Sequence, residues 1–146
     1  MPNMKPIHIL LVEDNEGDIL LIREAFDDAK LANDLSVVKD GEKAIHFLEK
    51  KGNYKDVKIP DLIILDVNLP RKNGNEVLEF IKTNNELKTI PVIMLTTSSS
   101  ENDIVQSYAN HANCYITKPV EVDDFLGAVL EIEHFWISLV ELPKKG

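Results

Sequence analysis

Short unbroken apolar runs alternate along the chain with longer stretches whose apolar positions recur at helical spacing. That order is expected of repeated strand-helix units on a parallel sheet. The runs are Ile7 to Val12, Leu35 to Val38, Leu62 to Leu65, Val92 to Leu95 and Cys114 to Thr117. Continuous Ile, Leu and Val predict five strands covered on both faces by helices. Between them, Ile19, Leu20, Ile22, Arg23, Phe26 and Ala29 fit a first helix, and Gly41 to Lys50 a second with Ala44, Ile45 and Leu48 facing inward. Val77, Leu78 and Ile81 mark a third, and Ile104, Val105 and Tyr108 a shorter fourth. The fifth begins near Glu121 and carries Val122, Phe125, Leu126, Val129, Leu130 and Ile132, with Phe135, Trp136 and Ile137 beyond. Lys50 to Pro60 is polar and reads as a surface excursion.

A chain of 146 residues is about one domain long. With 44% hydrophobic residues it can bury roughly two-thirds of its unfolded surface and needs no disulfide or zinc staple. The single Cys114 excludes an internal disulfide and, opening a strand, reads as an inert buried thiol. His8, His46, His111 and His134 have no metal-like spacing. The net charge of −9 would repel a phosphate backbone or an anionic membrane, so neither nucleic acid nor membrane is an expected partner. No apolar run reaches the roughly 18 residues that a membrane span needs, and the first apolar stretch is too short for a signal peptide. The expected location is cytoplasmic.

The candidate chemistry stands at the ends of the strands. Glu13 and Asp14 follow the first, Asp66 ends the third, Thr96 opens a hydroxyl-rich run after the fourth, and Lys118-Pro119 follows the fifth. In a doubly wound sheet the carboxyl ends of the strands share one edge, so these side chains converge on one crevice. Any one of them alone reads as a helix cap or a loop residue; the full set is hard to attribute to capping. Three carboxylates brought together repel one another, and a hard divalent cation relieves that cost. Mg²⁺ is the expected occupant, because few protein ligands are supplied and water or phosphate completes its octahedron.

Such a site suits phosphoryl chemistry. A carboxylate can act as a covalent nucleophile and form an aspartyl-phosphate, and the developing charge must meet positioned cations and donors. Asp66 is the candidate nucleophile, Glu13 and Asp14 the metal holders, Lys118 the second positive charge and Thr96 a hydroxyl donor. Lys118 lies in a connection, where its removal is expected to cost little packing. Pro119 fixes the backbone after it, with cis the minority state for such a bond.

The stretches LLVED (Leu10 to Asp14), LIILDVNLP (Leu62 to Pro70) followed by Gly74, PVIMLTTS (Pro91 to Ser98) and CYITKP (Cys114 to Pro119) resemble the receiver domains of bacterial two-component response regulators, the CheY-like family. The resemblance covers nearly the whole chain. It implies a flavodoxin-like doubly wound α/β fold, a parallel sheet of order 2-1-3-4-5 with five helices, in a single receiver domain over 1–146 with the last helix extended at about 134–146. It implies Asp66 as phosphoacceptor, the backbone carbonyl of Asn68 as a metal ligand beside Glu13, Asp14 and Asp66, Thr96 as a switch hydroxyl, Tyr115 as the aromatic that follows it, and Lys118 as the cation. The excursion around Lys51 to Lys58, the LTTSSSENDI and NCYITKP stretches and the ending EHFWISLVELP look like the small stand-alone regulators of cyanobacterial-phytochrome-type histidine kinases.

The implied activity is phosphorelay signalling: a phosphoryl group passes from a sensor histidine kinase, of phytochrome type by the closer likeness, to Asp66, without turnover of a metabolite. With no output domain, the expectation is that the signal leaves by protein contact, including a homodimer through the face of the fourth helix, fifth strand and fifth helix, or that the protein acts as an intermediate or a sink in a relay. Two other classes are weaker. A Mg²⁺-dependent aspartyl-phosphate phosphatase of haloacid-dehalogenase type wants a second acid two residues after the nucleophile, where this chain has Asn68. A flavodoxin-like flavin carrier wants a Thr/Ser/Gly-rich phosphate turn after the first strand, where Glu13-Asp14-Asn15 would repel the anion.

Overall fold

A computed structural model describes residues 7–28, 33–96 and 114–130. Its elements are β1 (Ile7–Val12), α1 (Glu16–Asp28), β2 (Asn33–Val38), α2 (Gly41–Glu49), a 3-10 turn (Gly52–Tyr54), β3 (Leu62–Asp66), α3 (Gly74–Lys82), β4 (Val92–Thr96) and β5 (Cys114–Thr117), followed by a helix over 122–130. The five strands form one sheet of order β2-β1-β3-β4-β5, with every pairing parallel. The expected fourth helix at 104–108 and the tail beyond 130 lie outside the described residues.

The central strands β1, β3 and β4 are apolar because both of their faces are covered. One layer packs α2 and α3 against Leu10, Val12, Ile63, Leu65, Val92 and Met94. The other packs α1 and the 122–130 helix against Ile9, Leu11, Ile64, Ile93 and Leu95, and Phe26 meets Phe125 edge to face with centroids 5.6 Å apart. The edge strand β2 departs from the expected two-sided burial. It starts two residues earlier than its apolar run and alternates half-buried with exposed positions, the pattern of a strand with one covered face.

Helix faces shift in the same way. In α1 the inward side is Ile19, Ile22, Ala25 and Phe26, while Leu20 and Arg23 point to solvent. In α2 it is Ala44, Phe47 and Leu48 that are buried, with Ile45 partly covered. The starts are capped: Asn15 Oδ1 accepts from the Asp18 amide at 2.9 Å, Asp40 caps α2, and Asn73 with Glu76 forms a reciprocal capping box on α3. Two glycines let the loops above the sheet close up. A Cβ on Gly74 would stand 2.2 Å from the Asp66 carbonyl oxygen, and one on Gly41 would stand 1.9 Å from that of Lys72. The loop after β3 is thus held down over the end of its own strand, and the start of α2 abuts it.

Candidate functional site

The sheet topology puts the predicted residues on one edge. Glu13 directly follows β1, Asp66 is the last residue of β3 and Thr96 the last of β4. Lys118 directly follows β5, where its amide donates to the Thr96 carbonyl at 2.6 Å. Strand order reverses between β1 and β3, the point at which a doubly wound sheet places its binding crevice on the carboxyl edge.

Within it the carboxylates of Glu13, Asp14 and Asp66 offer oxygen atoms that all lie within 4.8 Å of one another. Glu13 is wholly buried and Asp66 nearly so, whereas Asp14 is exposed at the mouth. Asp66 is held at both oxygens: the Asn68 amide donates to Oδ1 at 2.9 Å and Lys118 Nζ to Oδ2 at 3.0 Å. The Lys118 ammonium also lies 2.7 Å from Glu13 Oε1 and 2.9 Å from Asp18 Oδ2. Contrary to the expectation for a residue in a connection, its side chain is only 9% exposed. Its bond to Pro119 is cis, the minority state.

The charges act on one another. Burial pushes the Glu13 carboxyl from 4.5 up to about 7; Lys118 opposes that rise and Asp66 adds to it. Burial alone would lower the Lys118 ammonium, but Glu13, Asp18 and Asp66 outweigh it and hold the proton on more firmly than usual.

Glu13 Oε1 is the atom that bears on metal binding. It is buried, and although the ammonium is within ion-pair reach, no donor is aligned on it as a hydrogen bond. A buried carboxylate oxygen without an aligned donor, beside two further carboxylates, fits a hard divalent cation with oxygen ligands.

Thr96 is buried at the end of β4. Tyr115 pairs with Met94 across β4 and β5 and packs, half-buried, against the α2-α3 layer. Asn68 is exposed in the loop after Asp66. The structure therefore brings Glu13, Asp14, Asp66 and Lys118 into one cluster, with Thr96 beside it and Tyr115 three residues back along β5. Asp18 belongs to none of the sequence motifs above, and only the structure brings it to the site. The available signal was its spacing, four residues after Asp14 and on the first turn of α1, where a side chain turns back toward the strand end.

Parallel strands in the order 2-1-3-4-5 with an acidic crevice and a lysine at their carboxyl edge define a class, and comparison with known proteins agrees. Residues 9–130 match the response regulator receiver domain, and the chain belongs to that family. It is 45% identical over 138 residues to the response regulator Rcp1 of Synechocystis sp., covering 94% of each chain. Its structure is similar to that of a phosphorylated cyanobacterial phytochrome response regulator, RcpA, with TM-score 0.80, 45% identity, and 92% and 96% of the two chains covered. It is also similar to the Mn²⁺-bound form of Rcp1, with TM-score 0.79, 45% identity, and 90% and 94% covered. The chain is a receiver of phosphorelay signalling, related to phytochrome response regulators. The phosphatase alternative has no support.

Proposed function

We propose that this receiver accepts a phosphoryl group on Asp66 from a histidine kinase of phytochrome type, and that it acts as a phosphoacceptor, not as a turnover enzyme. The carrying observation is the contact of Lys118 Nζ with Asp66 Oδ2 at 3.0 Å beside the Glu13 and Asp14 carboxylates. In the transfer an Asp66 carboxylate oxygen attacks the phosphorus of a phosphohistidine. The new O–P bond forms as the P–N bond breaks, and its electron pair returns to the imidazole nitrogen. Lys118 offsets charge on the phosphoryl oxygens, the Asn68 amide orients the attacking carboxylate, and Thr96 supplies a hydroxyl toward the transferred group.

Glu13, Asp14, Asp66 and the Asn68 carbonyl are the residues that would hold Mg²⁺. The bound cation supplies neutralisation of charge between the carboxylates and the phosphoryl oxygens. Thr96 and Tyr115 form the switch: movement of the hydroxyl toward the phosphoryl group opens space that the aromatic follows into, changing the surface around β5. That surface, with the flanking helices, is the docking face for a second copy. The protein acts in the cytoplasm, meets kinase and partner by protein contact, and engages neither nucleic acid nor membrane. No described helix is long and apolar enough to cross a membrane.

The test is modification by acetyl phosphate followed by intact mass. The wild type gains one phosphoryl group in Mg²⁺; Asp66→Asn and EDTA-treated wild type do not. Equal modification of Asp66→Asn would overturn the assignment.

A further inference from the structure

The Lys118 ammonium has three N–H bonds, and three carboxylates stand at 2.7, 2.9 and 3.0 Å from it. Two of them, Glu13 and Asp66, belong to the phosphoacceptor site. The third, Asp18, comes from α1 and lies outside the metal-holding cluster of Glu13, Asp14 and Asp66. In the unphosphorylated state the ammonium therefore already has three carboxylates within ion-pair reach before any phosphoryl group arrives.

An acyl phosphate carries more negative charge than the carboxylate it replaces and projects it outward from Asp66. Once esterified, Asp66 no longer offers the ammonium a carboxylate, so the phosphoryl group takes that place and competes for the ammonium with the two anions that remain, Glu13 and Asp18. Glu13 has no solvent to return to, being wholly buried. Asp18 is 23% exposed and sits in the first turn of α1, where water and the helix N-terminus both accommodate a free carboxylate. It is the partner released at least cost.

We propose that Asp18 is a positioning residue that competes with the phosphoryl group for Lys118 and so sets how readily the phosphorylated state forms. Losing its charge leaves the ammonium to the phosphoryl group and removes one repelling anion. The proposal rests on the Asp66 reading and adds a residue to it. It also makes the first turn of α1 a part of the molecule that responds to phosphorylation, because the tie from Asp18 to Lys118 is loosened when the phosphoryl group binds.

The test titrates beryllofluoride, a phosphoryl mimic, into the full chain at saturating Mg²⁺, following amide shifts by NMR. Wild type, Asp18→Asn, Asp18→Glu and Asp66→Asn are compared, with melting curves to verify folding. Asp18→Asn is expected to bind about two- to fivefold more tightly than wild type, the range for a partly solvated ion pair. Asp18→Glu should return to the wild-type value, which a purely structural role for Asp18 would not require. Equal or weaker binding by folded Asp18→Asn overturns the competition while leaving the Asp66 reading intact. Failure of the wild type to bind, or undiminished binding by Asp66→Asn, overturns that reading and the inference with it.

Discussion

Replacing Lys118 by Met removes the cation that faces Glu13, Asp18 and Asp66 and leaves all three carboxylates behind. The lysine side chain is 9% exposed, and Glu13 is wholly buried. Taking away one partner of a buried ion pair strands charge in a poorly solvated place, at a cost of about 3–5 kcal/mol. In a domain of this size each kcal/mol moves Tm by about 2–4 °C, so the expected fall in EDTA is roughly 6–20 °C. The surface pair of Lys39 with Glu16 is the control. Its side chains are 52% and 73% exposed, and Lys39→Met should cost at most about 1 kcal/mol. Mg²⁺ should then raise the Tm of Lys118→Met more than that of wild type, because its carboxylates no longer have the ammonium for a partner; saturation at a hundred times Kd is worth about 2.7 kcal/mol. Scanning calorimetry with and without EDTA reads both effects. A Lys118→Met protein melting within about 2 °C of wild type in EDTA would refute the reasoning, since the carboxylates would then be stable without the lysine.

Three other outcomes follow from particular contacts. Gly74→Ala should lower stability by about 1–3 kcal/mol and slow phosphorylation by acetyl phosphate, because its Cβ would press on the Asp66 and Val67 backbone; chemical denaturation and intact mass measure the two. Gly127→Ala, at an exposed helical position with nothing among the described residues within 4 Å of the new Cβ, should instead stabilise by about 0.5–1 kcal/mol. In EDTA, Glu13 gives stability a definite pH dependence. Its carboxyl is raised by burial from 4.5 to about 7, so between those values the folded protein binds a proton that the unfolded chain has released. The Glu13 contribution therefore falls as pH rises through that window, and the stability difference between wild type and Glu13→Gln should shrink or reverse from pH 4.5 to 7.5 in urea titrations.

The strands were legible because their burial is two-sided: Leu10, Leu11, Ile63, Ile64, Ile93 and Met94 face different helix layers, and only continuous apolar residues satisfy both. β2 was less legible because at the edge one face is wet, so Asn33 and Asp34 can lie in a strand without an apolar neighbour on every side. The helix faces were legible to within one position. Leu20 and Arg23 fit the 3.6-residue period as well as Ala25 does, and only packing against Phe125 and the sheet decides between them. The acidic edge could be read because chain order fixes which residues end the strands. What could not be read was depth. Nothing in the one-dimensional pattern says that Lys118 is buried or that Asp18 reaches it, since both facts depend on how the first turn of α1 closes over the end of β5.

The central claim, that Asp66 is the residue phosphorylated, is tested most directly by reductive trapping. The protein is phosphorylated with acetyl phosphate in Mg²⁺ and then treated with borohydride, which reduces an aspartyl acyl phosphate to homoserine. The product is digested and sequenced by mass spectrometry. Homoserine at position 66 and at no other acid is the predicted result; homoserine at Asp14 or Asp18, or a stable phosphate on a hydroxyl side chain with position 66 unchanged, would contradict it.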